Sequence, residues 1–460
     1  MIELSPERIA AEAGAEIVAR GDGGRPERAT VDSRELLPGD LFVGLPGVRM
    51  DGGRFAKEAL VGSAWGVLVD RARAEELLGA GVPPGWILAA DDPLASLQSL
   101  ARGWRREIGC PLVGITGSTG KTSVKDIART ILPGRVHASR ENYNTEIGLP
   151  LALLAAPLET EVLVMEMAMR GIGQIAQLCA IAEPDVAAIT NVGPVHLELL
   201  GTLEAIAEAK AEILAGLRSG GHAVLPVDAE ALDPHLDDTL DALTFGPAGD
   251  VLALAVERRG ERTRARIGTP AGEADFDLPF AEAHNLANAL CAVAIGVALG
   301  SAPVEMAALA PRIEFSRLRG ERVELQGGIL ILNDCYNANP ISMRAAIEHL
   351  ATREVPAGGR RLAVLGGMAE LGPDGPRFHV EIGALARERG IAPLIGVGEL
   401  ARDYSPDAWA ADPEAAAELV RGSLGEGDIV LVKGSRSVGL ERFSEGLRAW
   451  LGSATSGAEA

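Results

Sequence analysis

The sequence is poor in the features that mark secreted and membrane proteins. Its four cysteines are far apart and form neither a CxxC pair nor a dense disulfide framework: Cys110, Cys179, Cys291 and Cys335. No apolar run approaches the ~20 residues needed to span a bilayer. The first residues, MIELSPERIA, lack the order of a signal peptide, in which a basic region precedes an apolar one. We therefore expect a cytoplasmic protein with reduced thiols and no membrane insertion.

Positive charge is also scarce. Lysine and arginine number 43 against 64 aspartate and glutamate residues, which gives a formal net charge of −21. This excess disfavours nonspecific binding to nucleic acid or to an anionic membrane surface. We expect no nucleic-acid partner, and a phosphorylated ligand would need donors concentrated in one place.

The chain of 460 residues exceeds what one hydrophobic core usually organises, so roughly three domains are expected. Residues 1–108 mix short strand patterns with Gly/Pro turns and end in an amphipathic helix at 93–108, which predicts a small α/β domain. Residues 109–314 alternate apolar strands with helices, which predicts βαβ units around a parallel sheet. Residues 315–452 restart this rhythm, so a second doubly wound, Rossmann-like unit is expected. Residues 453–460 show no pattern and are expected to be disordered.

A glycine-rich turn lies between a predicted strand and a predicted helix in PLVGITGSTGKTSVKDI. Backbone N–H groups of such a turn attract phosphate oxygens, Lys121 would reach the β and γ phosphates, and the Thr122 hydroxyl would bind Mg²⁺. Ile115 replaces the first glycine of the full Walker pattern, so the loop has the shorter GxxGKT form. ATP is the expected nucleotide, and a chance glycine turn is the alternative. The predicted loop comprises Thr116, Gly117, Ser118, Thr119, Gly120, Lys121, Thr122 and Ser123.

Three further residues fit a metal-assisted reaction at that loop. Glu166 is a charged residue within the apolar run VLVMEMA, where a carboxylate is costly unless it is paired or bound to metal. It would lie at the carboxyl end of a strand, where ligands gather in open α/β sheets. His196 follows the next strand, and Lys210 lies on the helix after it. Taken alone, Glu166 could still be an ordinary strand-end carboxylate. Residues such as His196 and Lys210 are more often a loop or cap histidine and a solvated helix lysine.

A series of motifs in this order and spacing resembles the Mur ligase family of cell-wall synthesis: TGSTGKTSVKD, ENYNTEIGLP, MEMAMRG, ITNVGPVHLELLG, AKAEIL, HNLANALCAVA and LNDCYNANPISM. The resemblance runs from about Asp32 to Ser437. The segments DSRELLPGDLFVGLPG and DCYNANPISM are most similar to the family member that adds D-alanyl-D-alanine to UDP-N-acetylmuramoyl-tripeptide. The resemblance therefore implies ATP-dependent amide formation through an acyl phosphate by a protein that we expect to be a monomer.

The resemblance also implies two Mg²⁺ ions. Thr122 and Glu166 would bind one ion, and His196 would bind the other. Lys210 matches the family lysine that CO₂ carbamylates, and the resulting carbamate would help hold the second ion. Lys121, Glu166, His196, Lys210 and Arg317 are thus the implied catalytic residues.

The remaining implied residues contact the nucleotide and the substrates. Asn285 of HNLANA would contact adenine, Asp334 would lie by the ribose, and Arg317 of SRLRG would hold phosphates and link domains. Without the resemblance, Asn285 could be a helix cap and Asp334 a strand-end carboxylate. The N-terminal domain would bind the UDP moiety, and the C-terminal domain would help bind the dipeptide. The implied substrate-binding residues are Ser33, Arg34, Asn142, Asn144, Thr145, Tyr336, Asn339, Lys433 and Arg436.

Two positions depart from the family pattern. Gly53 lies in DGGRF, where relatives often read DAH or DGH followed by a polar residue and Phe, so no histidine role carries over. Gly367 in LGGMAELG replaces a family acid, while Glu370 and His379 remain. The alternatives are another amide ligase on this scaffold, such as a folylpolyglutamate synthase, a nucleotide-dependent binding protein, or a degenerate ligase without turnover.

Overall fold

The computed structural model describes residues 2–47, 50–81, 84–140 and 142–451. Its N-terminal part is a five-stranded sheet of order β1-β5-β4-β3-β2, parallel except for β1. The strands are β1 (Glu16–Ala19), β2 (Ala29–Thr30), β3 (Leu41–Val43), β4 (Gly66–Asp70) and β5 (Trp86–Ala90), and the helices are α1 (Pro6–Ala13), α2 (Ala56–Val61), α3 (Arg71–Gly79) and α4 (Pro93–Ile108).

The helix predicted at 93–108 is present as α4. Asp92 caps its N-terminus by accepting hydrogen bonds from the backbone N–H groups of Leu94 and Ala95, and Gly109 ends it with a φ of 70°. The apolar face that periodicity predicted, including Leu97 and Trp104, is buried. This face belongs to one apolar cluster that runs from the N-terminal sheet into the next unit, so the two units share a core.

The central unit has a six-stranded, fully parallel sheet of order β11-β10-β9-β6-β8-β7. Its strands are β6 (Leu112–Thr116), β7 (Val136–Ala138), β8 (Val162–Glu166), β9 (Val186–Ile189), β10 (His222–Pro226) and β11 (Ala242–Phe245), and its helices are α5 (Lys121–Ile131), α6 (Gly148–Leu154), α7 (Gln174–Ala182), α8 (Leu197–Leu200), α9 (Leu203–Ala215), α10 (Ala283–Ala298) and α11 (Pro303–Leu309). Since β6 is flanked by β8 and β9, the loops that follow these strands meet at one edge.

A three-stranded antiparallel sheet, which the sequence patterns did not predict, packs beside the central unit. It consists of β12 (Leu252–Arg259), β13 (Arg262–Thr269) and β14 (Gly272–Leu278). Residues of β13 such as Ala265 and Ile267 are buried in the core that α5 and α10 share, while charged residues face outward. Its half-buried strands alternate apolar and charged residues, unlike the long apolar runs of the parallel strands.

The C-terminal unit is a six-stranded sheet of order β15-β16-β20-β17-β18-β19, parallel except for β15. Its elements are β15 (Glu321–Leu325), β16 (Ile329–Asn333), α12 (Pro340–Thr352), β17 (Arg361–Gly366), α13 (Gly375–Glu388), β18 (Leu394–Val397), β19 (Ala408–Ala410), α14 (Pro413–Arg421), β20 (Ile429–Lys433) and α15 (Glu441–Leu451). The four strands predicted here form its centre, and β15 and β19 add its edges.

The architecture confirms the predicted α/β class with parallel sheets. The boundaries expected after residues 108 and 314 lie outside the strands and α-helices, since α4 ends at Ile108 and β15 begins at Glu321. The expected disordered tail at 453–460 lies outside the described residues. Among the described helices, we find none with the length and apolar character needed to cross a membrane.

Candidate active site

The phosphate loop connects the central strand β6 to helix α5, as predicted. Its backbone is fixed by the segment that follows β9. The Ser118 hydroxyl donates to the carbonyl of Gly193 at 3.0 Å and accepts from its N–H at 2.9 Å, and the Thr119 N–H donates to Asn191 Oδ1 at 2.9 Å. The segment that follows β9 therefore holds the loop in this conformation.

The two glycines of the loop occupy positions closed to any side chain. Gly117 has a φ of 149°, and a Cβ added there would lie 1.9 Å from Thr190 Oγ1. Gly120 has a φ of 79°, and its Cβ would lie 2.4 Å from Asn288 Oδ1. The backbone can thus curl closely around a bound group. Asn288 Nδ2 also donates a hydrogen bond to Asn285 Oδ1 at 3.1 Å. Asn288, which the sequence analysis did not identify, thus connects the loop to Asn285, the residue predicted to contact adenine.

Thr122 and Glu166 meet at the carboxyl edge of the sheet. The Thr122 hydroxyl donates to Glu166 Oε2 at 2.8 Å. The other carboxylate oxygen accepts from Asn144 Nδ2 at 2.8 Å, and the Glu166 N–H donates to Ser139 Oγ at 3.1 Å. Glu166 is 3% exposed, so these partners offset the cost of burying its charge. Asn144, which the resemblance placed near the peptide substrate, orients this carboxylate.

Two lysines lie close together at this site, with Lys121 half-buried within the loop and Lys210 fully buried. Lys121 Nζ donates to the Gly117 carbonyl at 2.6 Å, and burial lowers its pKa, against the nearby charge of Glu166. Lys210 is 2% exposed. Burial first, and then the positive charge of Lys121, hold the pKa of Lys210 well below its usual range. Lys210 is therefore not the solvated helix lysine of the alternative interpretation.

The arginine at the loop is Arg319, which corrects the expectation for Arg317. Arg319 Nη2 donates to Thr122 Oγ1 at 3.0 Å, and its guanidinium lies 4.1 Å from the ring centroid of Tyr336. Its Nε is buried without a hydrogen-bond partner within the described part of the chain. Arg317 is exposed. Leu318 between them has a φ of 62°, so the backbone turns there and only the second arginine reaches inward. Periodicity could not have distinguished the two.

His196 contacts the C-terminal unit. Its Nδ1 donates to Glu370 Oε2 at 2.5 Å. Burial lowers the pKa of His196, and the charges of Lys121 and Lys210 act in the same direction, while Glu370 opposes them. Glu370 was noted in the sequence only as part of LGGMAELG.

Asp334 and Lys433 form a pair at the ends of two C-terminal strands. Lys433 is 2% exposed, and its Nζ donates to Asp334 Oδ2 at 2.7 Å and to the carbonyl of Asn337 at 3.0 Å. Its ammonium is therefore engaged within the chain and holds Asp334 in place. Asn339 caps helix α12 by accepting from the Ser342 N–H at 3.0 Å. Lys433 and Asn339, which the sequence analysis assigned to substrate binding, therefore have hydrogen-bond partners within the chain.

The other predicted substrate residues lie on exposed surfaces. Arg34 is 86% exposed and pairs with Asp32, whose pKa it lowers to about 2 mainly through their side-chain hydrogen bond. Ser33 is partly exposed and precedes it. Thr145 accepts a hydrogen bond from the Gly148 N–H at 3.3 Å where α6 begins. Asn142 is exposed, and Arg436 pairs with Glu441 at 2.8 Å.

Both departures from the family pattern lie in tight surroundings, with less space at Gly367 than at Gly53. A Cβ at Gly367 would lie 2.6 Å from the Cβ of Leu400, so the family acid has no space here. A Cβ at Gly53 would lie 3.1 Å from Arg73 Cγ and 3.1 Å from Asp51 Oδ1. Arg73 pairs with Asp51 at 2.7 Å over that position.

The described residues contain no group of three or more His, Cys, Asp and Glu side chains that could hold a metal ion. The donors that meet are the Thr122 hydroxyl and the Glu166 carboxylate, while the His196 imidazole is hydrogen-bonded to Glu370. This sparse oxygen-rich set fits Mg²⁺, which keeps several waters and binds substrate phosphates together with one or two carboxylates. The orphan Nε of Arg319 and the closed positions at Gly117 and Gly120 fit a phosphate group.

Profiles of two known domain families match the chain. The Mur ligase middle domain covers residues 115–296, and the Mur ligase glutamate ligase domain covers residues 318–436. A curated relative, the UDP-N-acetylmuramoyl-tripeptide–D-alanyl-D-alanine ligase of Bacillus subtilis (strain 168), is 34% identical over 430 residues and covers 90% of this chain and 92% of that protein.

Solved structures agree with these matches. MurF from Acinetobacter baumannii has a TM-score of 0.85 at 26% identity, covering 97% of this chain and 98% of that one. MurF ligase from Thermotoga maritima in complex with ADP has a TM-score of 0.79 at 32% identity, covering 92% and 97%. Because these similarities extend over nearly the whole chain, it belongs to the Mur ligase family, and these named relatives within that family are MurF ligases.

Proposed function

We propose that this protein is an ATP-dependent amide ligase that joins D-alanyl-D-alanine to UDP-N-acetylmuramoyl-tripeptide and gives the UDP-muramoyl-pentapeptide of peptidoglycan synthesis. The observation that carries the proposal is the convergence of Lys121, Thr122, Glu166 and Arg319 at one phosphate loop. Curated relatives named for this reaction support the choice of substrates. A cytoplasmic, monomeric enzyme is part of the proposal.

The reaction forms an amide from an unreactive carboxylate. A carboxylate oxygen of the tripeptide attacks the γ-phosphorus of ATP, the bond from that phosphorus to the bridging oxygen breaks, and ADP leaves. The amine of D-alanyl-D-alanine then attacks the acyl carbon, phosphate leaves with the C–O electron pair, and the amine proton passes to solvent. Lys121 and Arg319 neutralise charge on the transferring phosphoryl group, which is the main protein contribution to such transfers.

Mg²⁺ would be held by Thr122 and Glu166 at one position and by His196 at a second. When bound, it supplies charge neutralisation for the phosphates. Asn144 fixes the Glu166 carboxylate for this role through its 2.8 Å hydrogen bond. Asn285, which is hydrogen-bonded to Asn288 beside Gly120, would contact adenine. Asp334, which is hydrogen-bonded to Lys433, would contact the ribose.

We further propose that Lys210 is carbamylated. Its buried amine has a pKa well below that of free lysine, so a neutral amine is accessible near neutral pH. The nitrogen lone pair attacks the carbon of CO₂, an N–C bond forms, a C=O electron pair moves to oxygen, and the amine proton leaves to water. The product carries one negative charge, so the repulsion between Lys210 and Lys121 is replaced by attraction.

The substrate sites complete the proposal. Ser33 and Arg34 would bind the UDP diphosphate, because a guanidinium fork donates bidentately to phosphate and the Arg34 side chain is exposed beside its partner Asp32. Asn142 and Thr145 would lie near the muramoyl peptide. Arg436, together with Tyr336 and Asn339 around the DCYN loop, would face the acyl phosphate or the dipeptide.

Phosphate release tests the proposed reaction. The rate with ATP should depend on both UDP-N-acetylmuramoyl-tripeptide and D-alanyl-D-alanine, and omission of either should leave only background hydrolysis. ATP hydrolysis indifferent to both would support a nucleotide-dependent binding protein. Release driven by a different amino acid or by a folate substrate would support another ligase of this scaffold. Parallel assays with diaminopimelate and lysine tripeptides identify the third residue.

A further inference from the structure

The loop that carries His196 is packed tightly against the C-terminal unit. A Cβ at Gly193 would lie 2.0 Å from Ile341 Cδ1, and one at Gly372 would lie 3.2 Å from Glu198 Cα. Leu197 packs against the core of the C-terminal unit as well as that of the central unit. The contact between His196 and Glu370 therefore sits within a close-packed interface.

His196 and Glu370 share an unusual backbone conformation. Their φ values are 52° and 62°, in the left-handed region that few residues other than glycine adopt, although histidine adopts it more readily than glutamate does. Such strained residues persist where the surroundings over-determine them, and they cluster at functional sites. Two of them face each other across the unit boundary, and their side chains are hydrogen-bonded. This backbone conformation thus accompanies a contact that joins the predicted metal ligand to the C-terminal unit.

The hydrogen bond determines which ring nitrogen of His196 carries the proton. A carboxylate oxygen accepts only, so Nδ1 must donate to Glu370 Oε2. In the neutral imidazole, Nε2 then keeps its lone pair. A carboxylate that fixes a metal-binding histidine in this way also raises its basicity as a ligand.

The second contact of Glu370 does not explain its position. Arg170 Nη2 lies 3.6 Å from Glu370 Oε1, and the Arg170 side chain is 72% exposed. Exposed pairs of this length are screened by solvent and contribute little. Arg170 can therefore be removed while the contact with His196 remains.

We propose that Glu370 is a positioning residue that comes from the C-terminal unit and prepares His196 to bind the second divalent cation. The inference rests on the proposed function, which gives His196 its metal role. It adds that the second cation position is complete only when the C-terminal unit is docked as it is here. The affinity for the second cation then depends on whether the C-terminal unit is docked against the central unit.

The test measures Mn²⁺ binding to the full chain by electron paramagnetic resonance, with a nonhydrolysable ATP analogue present. In the wild type, two Mn²⁺ ions should bind. Glu370→Leu removes the acceptor and should weaken one of them about 10- to 100-fold, which is the usual effect of losing such a partner. Glu370→Gln keeps a neutral acceptor and should weaken it less. The first ion should keep its affinity in both variants.

Two matched controls separate positioning from general damage. Arg170→Ala removes the other contact of Glu370 and should leave both affinities unchanged. Glu381→Gln removes a surface carboxylate that pairs with Arg377 on α13, and it should do the same. Thermal melting of every variant checks that the chain is folded. If Glu370→Leu melts early, Glu370→Gln alone decides the outcome.

Three outcomes of the Mn²⁺ binding experiments would lead to different conclusions. Unchanged Mn²⁺ affinities in both folded Glu370 variants would overturn the inference, whatever happens to turnover. If His196→Ala also leaves both ions unchanged, the metal role within the proposed function fails instead. If the Mn²⁺ results hold while the wild type does not ligate D-alanyl-D-alanine, the substrate assignment fails and the positioning role stands.

Discussion

Arg319 donates a 3.0 Å hydrogen bond to the hydroxyl of Thr122, which lies 197 residues earlier in the chain. The same hydroxyl donates to Glu166 at 2.8 Å. One side chain from the segment before β15 thus reaches the phosphate loop of the central sheet. The charged residues that we propose for catalysis come from two units, so their spacing depends on how those units dock.

Arg319→Ala should lower kcat about 100- to 1,000-fold, as loss of one donor to a developing anionic charge does. Arg317→Ala should change it by about twofold at most, because that side chain is exposed and remote surface changes are nearly neutral. Steady-state phosphate release with all three substrates measures both. The prediction fails if the Arg317 variant is the more impaired of the two.

Gly120→Ala should abolish detectable nucleotide binding, because the added Cβ would lie 2.4 Å from Asn288 Oδ1 and the φ of 79° disfavours a side chain. Gly117→Ala should also abolish nucleotide binding, because its added Cβ would lie 1.9 Å from Thr190 Oγ1. Isothermal titration with ADP reports the affinity. Gly79→Ala is the control, because that helix residue has open space around it and should bind ADP normally.

Lys210→Met should raise the melting temperature in CO₂-free buffer at pH 7 while it removes ligase activity. Burial lowers the pKa of Lys210 in the folded state, so the folded chain binds this proton less tightly than the unfolded chain does. Each unit of that shift costs about 1.4 kcal/mol of stability at neutral pH.

The pH dependence of the stability cost of Lys210 gives a second measurement. The cost of the unmodified lysine disappears as pH rises from the folded pKa towards the unfolded value, so the difference in melting temperature between variant and wild type should shrink towards pH 10. Added bicarbonate should stabilise the wild type alone. A wild type that is indifferent to bicarbonate, with an unmodified amine by mass spectrometry of the intact chain, would end the carbamate proposal.

Lys433→Met should destabilise the chain by about 1–3 kcal/mol, less than the 3–5 typical of a fully buried pair, because Asp334 is partly exposed. It should also raise KM for ATP more than KM for D-alanyl-D-alanine, since Lys433 holds Asp334, the residue proposed to contact the ribose of ATP. Urea unfolding and steady-state kinetics measure the two effects. Lys57→Met, which removes an exposed lysine, is the control. A larger rise in KM for the dipeptide would instead support direct substrate binding by Lys433.

Local sequence patterns predicted the parallel sheets and the phosphate loop. Long apolar runs identify buried parallel strands, and a strand followed by glycines, Lys121 and Thr122 has few other structural outcomes. The same patterns missed the antiparallel sheet of β12 to β14, whose strands are half-exposed and carry many charges. They also left Lys210 open, because a lysine on a helix carries no local sign of its burial.

The sequence by itself determined the α/β class, the loop at Thr116 to Ser123 and the family motifs, since each depends on residues that are neighbours in the chain. Only the tertiary structure decided that Arg319 rather than Arg317 reaches the loop, that Leu400 closes the space at Gly367, and that Glu370 meets His196. These facts depend on backbone turns at single residues and on the docking of separate units. Such contacts between distant segments leave no periodicity in the sequence.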